Sequence, residues 1–167
     1  MQKILIIGCP GSGKSSFARA LHAKTGLPLC HLDLLYWNAD RTTVPAAVFQ
    51  DRLRAVLETD AWIIDGNYCS TLELRLQACD TVFFLDLPCD VCLKGIQERR
   101  GKPRPDMPWI EPAETIDEEF LSFVQNFRKD TRPQVLALLE KYAGKRVVIF
   151  HSHAEAEHFL HQLHACA

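Results

Sequence analysis

Apolar runs closed by glycine, proline or an acidic residue alternate along this chain with stretches of helical period. Ile4-Leu5-Ile6-Ile7, Leu29-Cys30-His31-Leu32, Trp62-Ile63-Ile64, Thr81-Val82-Phe83-Phe84-Leu85-Asp86-Leu87 and Arg146-Val147-Val148-Ile149-Phe150 predict five strands, the fourth fully buried and closed by Pro88. Between them, Ser15 to Leu21 forms an amphipathic helix that Gly26 stops and Pro28 forbids to continue. Val44, Val48, Phe49, Leu53, Val56 and Leu57 recur at helical spacing, with Asp51, Arg52, Arg54 and Glu58 on the other faces. Ser70-Thr71-Leu72-Glu73, Thr115-Ile116-Asp117-Glu118 and Ser152-His153-Ala154-Glu155 match the capping box and predict three helix starts; Ile116, Phe120, Val124 and Phe127 give the second an apolar stripe. Further helices are predicted from Cys89 to Gln97 and from Gln134 to Tyr142, the latter with Pro133 in its first turn and Gly144 at its end. Strands alternating with helices define an α/β chain, a parallel sheet with helices on both faces in a three-layer α/β/α arrangement.

Composition narrows the picture. A chain of 167 residues suits a single domain, 1–167, with a core that needs no disulfide or metal. Lys+Arg 19 against Asp+Glu 21 gives a formal net charge of -2, so no general pull toward nucleic acid or an anionic membrane is expected. Met1 runs straight into a strand with neither a charged leader nor a membrane-length apolar run, which predicts a cytoplasmic protein. The seven cysteines, Cys9, Cys30, Cys69, Cys79, Cys89, Cys92 and Cys166, are expected to be reduced and mostly buried. Cys89-Asp90-Val91-Cys92 has redox or zinc spacing but lacks a second pair, and a structural role is the expectation. The histidines around the terminal helix, His151, His153, His158, His161 and His164, read as mostly surface.

The chemistry begins at Gly8-Cys9-Pro10-Gly11-Ser12-Gly13-Lys14-Ser15, a full match to G-x-x-x-x-G-K-[ST] set between a strand and a helix. A polyphosphate concentrates negative charge, so glycines let backbone N–H groups turn toward it, and the following helix N-terminus favours an anion. The expected nucleotide-binding set is Gly8, Pro10, Gly11, Ser12, Gly13, Lys14, Ser15 and Ser16, with Lys14 on the β- and γ-phosphates and Ser15 on Mg²⁺. ATP and Mg²⁺ are the expected cofactors.

Acceptor chemistry is expected at the strand ends, where ligands collect in open parallel sheets. Asp33 stands at the second strand end, to orient or deprotonate an acceptor hydroxyl, to pair with a cationic group, or to serve only as a cap. Tyr36 and Trp37 either wall an acceptor site or plug the core, and the helix over 44–57 resembles a flap, with Arg52 and Arg54 as candidate anion contacts. Asp65 suits Mg²⁺ or acceptor binding, with Asn67 and Tyr68 as acceptor contacts; Asp86 competes with it for the metal or braces the phosphate loop. Arg75 lies on the helix that follows. Glu98-Arg99-Arg100-Gly101-Lys102-Pro103-Arg104-Pro105 has a lid's composition, its arginines placed to neutralise charge on the transferred group, with Arg104 also on the nucleotide and Arg128 and Arg132 as helpers. The loop at His153 is expected to reach the nucleotide base, and Lys14, Asp33, Arg99 and Arg100 form the expected catalytic set.

On Gly8 to Ser15, His31-Leu32-Asp33, Trp62 to Tyr68, Phe84-Leu85-Asp86-Leu87-Pro88 and Arg99-Arg100-Gly101-Lys102, the chain resembles small P-loop kinases of the adenylate-kinase and shikimate-kinase type, and more closely their offshoot, the topology modulation proteins. The resemblance implies a P-loop NTPase fold with strand order 2-3-1-4-5, a flap over about 34–60 and a short lid over about 99–115. It implies an acceptor-binding role for Asp33 and lid roles for Arg99 and Arg100. Adenylate kinases follow the Asp-Gly of strand three with Phe-Pro-Arg, which clamps a monophosphate; Asn67-Tyr68-Cys69 stands here instead, and the usual clamp is missing. Two functions are open at this point: ATP-dependent phosphoryl transfer to a small nucleotide, nucleoside or hydroxylated metabolite, or a nucleotide-binding regulatory or DNA-topology role without kinase activity. A monomer or weak dimer with no membrane partner is expected.

Overall fold

The computed structural model describes residues 1–115 and 117–163, so Ile116, His164 and Cys166 lie outside the described residues. The sheet comprises β1 (Lys3–Gly8), β2 (Leu29–His31), β3 (Trp62–Asp65), β4 (Thr81–Leu85) and β5 (Arg146–Phe150). All four pairings are parallel, in the order β2-β3-β1-β4-β5. The helices are α1 (Lys14–Thr25), α2 (Leu32–Tyr36), α3 (Ala46–Leu57), α4 (Cys69–Ala78), α5 (Cys89–Arg99), α6 (Glu118–Asp130), α7 (Arg132–Lys141) and α8 (His153–Gln162).

The central strands carry unbroken apolar runs because helices cover both faces of the sheet, leaving no solvent side to demand alternation. Ile4, Leu5, Ile6, Ile63, Ile64, Val82, Phe83 and Phe84 are buried. Phe17 of α1 packs edge-on against Phe83 at 5.3 Å and beside Phe150 at 5.4 Å, tying the nucleotide-side helix to β4 and β5.

Several boundaries differ from the sequence expectation, each for a local reason. β2 stops at His31 because Leu32 turns inward as the first residue of α2, fully buried, and Asp33 falls in that helix's first turn. β4 stops at Leu85; beyond it the Asp86 N–H still reaches Phe150 O at 2.9 Å, but the Asp86 carboxylate is taken by Arg132 and the chain turns toward Pro88. The box at Ser70-Thr71-Leu72-Glu73 does not form: α4 starts at Cys69 after an uncapped Tyr68, and Glu73 pairs with Lys141 and Tyr142. The Thr115 box gives way to Asp117, whose carboxylate accepts from the Glu119 and Phe120 N–H groups. At α8 only half the box holds: Ser152 Oγ accepts from Glu155 N–H, while the Glu155 carboxylate takes the His151 N–H at 2.7 Å instead of that of Ser152. No described helix is long and apolar enough to cross a membrane.

One packing contact positions the loop after β1. A Cβ on Gly95 would lie 2.2 Å from Gly11 O, and one on Gly11 would lie 2.0 Å from Cys92 O. α5 therefore meets the loop backbone to backbone, and Gly11, at φ 81°, needs glycine on conformational grounds as well. Gly95→Ala would gain helix propensity in an open helix, but here it forces two backbones apart. We expect a loss of about 1–3 kcal/mol, seen as a lower midpoint in urea; an unchanged midpoint would show that α5 shifts without cost.

Candidate functional site

The C-terminal ends of β1, β2, β3 and β4 bring the candidate residues to one edge of the sheet. After β1, Gly13 adopts φ 86° and leads into α1 with no side chain capping it. The first N–H groups of a helix have no intrahelical acceptor, so an uncapped N-terminus presents open donors and a partial positive charge. The Ser12 N–H closes the loop on Cys9 O at 3.0 Å, and the Gly8 N–H donates to Asn67 Oδ1 at 3.0 Å. Gly8 thus ties the loop to the segment after β3 rather than offering its amide to a ligand.

Two cavities of about 540 Å³ each meet at Lys14 and Arg99. The first is lined by Gly11, Gly13, Lys14, Ser15 and Ser16, by Arg19 and Arg104, and by His153. His153 Nε2 lies 3.0 Å from Ser12 O. A carbonyl only accepts, so Nε2 carries the proton and fixes the ring beside the loop. The second cavity is lined by Pro10, Lys14, Asp33, Trp37, Asp65, Asn67, Tyr68 and Arg100 among others. Lys14 has no hydrogen bond or ion pair among the described residues, although a buried or half-buried ammonium ordinarily finds one.

Asp33 and Tyr68 form the centre of the second cavity. Tyr68 Oη donates to Asp33 Oδ1 at 2.6 Å, and its φ of 34° is a left-handed backbone conformation rare for a non-glycine residue. Burial raises the Asp33 pKa, against the pull of the Tyr68 hydroxyl and the Lys14 charge. Burial likewise raises the Tyr68 pKa, and the neighbouring Asp33 charge adds to it, so Tyr68 remains the donor.

The strained turn has a brace that sequence could not reveal. Arg75 is fully buried and donates to Gly66 O at 2.8 Å, to Asn67 O and to Tyr68 O at 2.9 Å. Burial lowers its pKa to about 10, and it stays protonated at neutral pH. Arg75 lines neither cavity; in place of the substrate contact expected of it, it holds the backbone that carries Asn67 and Tyr68.

The carboxylates divide sharply. Asp86 is held by Arg132 through contacts of 2.8 to 3.0 Å, with Arg128 and His151 each 3.7 Å away. It is fully engaged, and the two arginines expected near the lid are engaged with it. Asp65 Oδ2 accepts from His31 Nδ1–H at 2.7 Å, while its Oδ1 is buried with no partner among the described residues. The Ser15 hydroxyl and this unpaired Asp65 oxygen are hard oxygen donors of the kind a magnesium ion takes, whereas Asp86 has no oxygen free for one.

The arginines of the 99–115 segment are already paired. Arg99 forms a two-point contact with Glu111 at 2.9 and 2.7 Å, and Arg104 bonds Asp106 at 3.1 Å. Arg100 donates to Pro112 O and Thr115 O and shapes the segment's own turn. Burial raises the Asp106 pKa, but the charges of Arg104, His31 and Arg19 outweigh it and hold the carboxyl below its ordinary range. Arg19 reaches Asp106 at 3.0 Å. The 34–60 segment meets the 99–115 segment where Trp37 packs edge-on to Trp109 at 5.5 Å and Arg41 lies over the Trp109 ring at 5.4 Å. Arg52 donates to Leu35 O, joining α3 to α2 rather than facing a ligand.

Sequence reasoning missed Glu111, Asp106, His31 as the Asp65 partner, and the cavity walls Trp109, Phe120 and Phe123. The acidic residues after Arg104 were the signal for the ion pairs. Cys9 of the loop lies beside Cys92, and the contact with Cys92, followed by burial, raises the Cys9 pKa; all six described cysteines are free thiols.

No protein-family profile matches the sequence, and no curated protein matches it at a significant level. Solved structures do. A shikimate kinase from Acinetobacter baumannii in complex with shikimate is similar at 18% identity and TM-score 0.62, covering 97% of this chain and 90% of that one. A second shikimate kinase, from Bacteroides thetaiotaomicron, is similar at 20% identity and TM-score 0.55, with 96% and 94% covered. A deoxyadenosine kinase from M. mycoides with bound dATP is similar at 15% identity and TM-score 0.52, with 98% and 99% covered. The fold is that of P-loop kinases, with the five-stranded parallel sheet in the order 2-3-1-4-5. These structures lend nothing to the finer resemblance to topology modulation proteins, which rests on the sequence motifs alone.

Replacing Arg75 by Met would keep much of the volume while leaving three inward carbonyls without a donor. We expect Arg75→Met to lose about 3 kcal/mol in denaturant titration. Wild-type stability would show that those carbonyls find other donors.

Proposed function

We propose that this protein is an ATP-dependent phosphotransferase acting on a small hydroxylated acceptor. The observation that carries the reading is the unpaired Lys14 ammonium at the junction of two cavities, one bounded by open helix N–H groups and the other by an aspartate in a largely apolar wall. Such a junction suits transfer of a charged group between two ligands held on either side of it.

In this reading the amides of Gly13, Lys14, Ser15 and Ser16 hold the β- and γ-phosphates, Lys14 neutralises charge on the transferred group, and His153 borders the nucleotide. Ser15, with Asp65 across the junction at Lys14, would hold Mg²⁺, which would supply positive charge to the transferring phosphate. Asp33 Oδ2, which has no partner among the described residues, accepts the acceptor's hydroxyl proton. The acceptor oxygen forms a bond to the γ-phosphorus, the bond from that phosphorus to the bridging oxygen breaks, ADP leaves, and Asp33 returns the proton to solvent. Arg104 lines the first cavity and exchanges its Asp106 contact for phosphate oxygens as the 99–115 segment closes, while Arg99 stays on Glu111 at the border of both cavities. The shikimate and dATP in the related structures support a kinase with a small acceptor, and the topology modulation resemblance supplies no reaction of its own.

Incubation with γ-labelled ATP and a panel of nucleosides, nucleotides and sugar acids tests the reading: label should move to at least one acceptor, and transfer to none would defeat it. Lys14→Ala should lower turnover at least about a hundredfold with an unchanged circular dichroism spectrum; undiminished turnover removes Lys14 from the reaction. Asp33→Asn should keep ATP affinity and lower transfer to a similar degree. Asp33 works only when ionised, and burial raises its pKa. Activity should therefore fall on acidification at a pH above the ordinary aspartate value of about 3.9. A pH profile flat down to that value would contradict the assignment.

A further inference from the structure

The second cavity restricts what its ligand is, granted the kinase reading above. Its walls are dominated by aromatic side chains, Tyr36, Trp37, Tyr68, Trp109, Phe120 and Phe123. Tyr36 lies 5.0 Å from Tyr68 with the rings inclined at 60°, and Trp37 meets Trp109 edge-on at 5.5 Å, so the ring pairs form an angled aromatic cleft rather than isolated contacts. A cleft walled by ring faces and ring edges rewards an aromatic ligand, which buries area there and meets the ring quadrupoles face-on or edge-on.

Charge decides the rest. Three cations border the cavity. Lys14 also faces the phosphate loop, where a donor phosphate takes it. Arg99 is held at two points by Glu111, and Arg100 by two backbone carbonyls. An anionic acceptor would meet no free guanidinium and would face Asp33, Glu111 and Asp117 in a site partly shielded from water. A like charge there is costly, because a low-dielectric wall strengthens repulsion as it does attraction. Two donors on lining residues, Asn67 Nδ2 and Trp109 Nε1, are buried without an acceptor. Ring nitrogens or carbonyls of a heteroaromatic ligand would satisfy them.

We propose that the phosphoryl acceptor is an uncharged, planar heteroaromatic alcohol of about nucleoside size, lodged in the cleft between the Tyr36–Tyr68 and Trp37–Trp109 ring pairs with its hydroxyl on Asp33, and carrying neither phosphate nor carboxylate. Glu111 is the positioning residue for this selectivity: by holding Arg99 it withholds the one guanidinium that borders both cavities.

The experiment titrates the full chain with matched pairs while a non-hydrolysable ATP analogue and magnesium saturate the nucleotide site. The pairs are adenosine and AMP, guanosine and GMP, thymidine and TMP, and naphthalenemethanol and its ring carboxylate. Binding is read by tryptophan fluorescence, since Trp37 and Trp109 line the cavity whereas Trp62 is buried in the core. At least one neutral member should bind saturably and at least about tenfold tighter than its charged partner. Glu111→Gln should free Arg99 and shrink that ratio severalfold without weakening the neutral ligand. If no neutral member binds, if a charged partner binds as tightly, or if Glu111→Gln leaves the ratio unchanged, the assignment is overturned. Failure of the ATP analogue itself to bind would defeat the kinase reading and this assignment together, and calorimetry of the analogue alone separates that case from the others.

Discussion

A positive charge without a counter-charge is the constraint on which the rest of this structure turns. Lys14 sits half-buried, has no partner among the described residues, and lies where two cavities meet. Ordinary packing would remove so unfavourable an arrangement by pairing the ammonium or exposing it. Here the surroundings do neither. The loop is pinned from behind by the Gly11–Gly95 backbone contact, tied sideways by Asn67 to Gly8, and followed by an uncapped helix start that adds positive potential of the same sign. The unpaired ammonium and the uncapped helix start put like potential in one place, held there by those contacts, and an anion would relieve it.

The arginines and carboxylates around Lys14 follow a different rule. Asp86 with Arg132, Arg99 with Glu111, and Arg104 with Asp106 are closed pairs. Among the described residues at the strand ends, Asp33 and Asp65 each keep one oxygen without a partner in the cavity that Lys14 borders: the other oxygen of Asp33 takes the Tyr68 hydroxyl, and that of Asp65 meets His31. The free oxygens belong to two residues at neighbouring strand ends, β2 and β3, while the strand-end carboxylate after β4 is closed off. The Tyr68 turn, at φ 34° and braced by the buried Arg75, keeps the hydroxyl on Asp33.

The parts of this arrangement that depend on local spacing were legible in the sequence. The strand, glycine-rich loop and helix are contiguous, so residue order alone placed Lys14 and Ser15, and the rule that ligands gather at strand ends placed Asp33 and Asp65. Strand content followed from apolar runs, because a sheet covered on both faces leaves no polar alternation to confuse it. What was not legible depends on residues far apart in the chain. Arg75 turns inward because the carbonyls after β3 are closer than any solvent-facing alternative, and nothing in its helix signals that. Glu111 and Asp106 close on arginines that sequence alone left free for phosphate, since composition reports how many charges a segment holds and not which ones meet. The capping pattern at Ser70 failed because Glu73 had a stronger partner in Lys141.

If the cradle formed by Lys14 and the open amides exists to hold a polyphosphate, affinity must rise with the number of phosphates offered to it. Calorimetric titration of the wild-type protein with AMP, ADP and ATP in the presence of magnesium measures this directly. The account predicts a saturable single-site heat for ATP and an affinity that falls at least about tenfold from ATP to AMP. Equal affinity for the three nucleotides, or no heat with ATP, would contradict it.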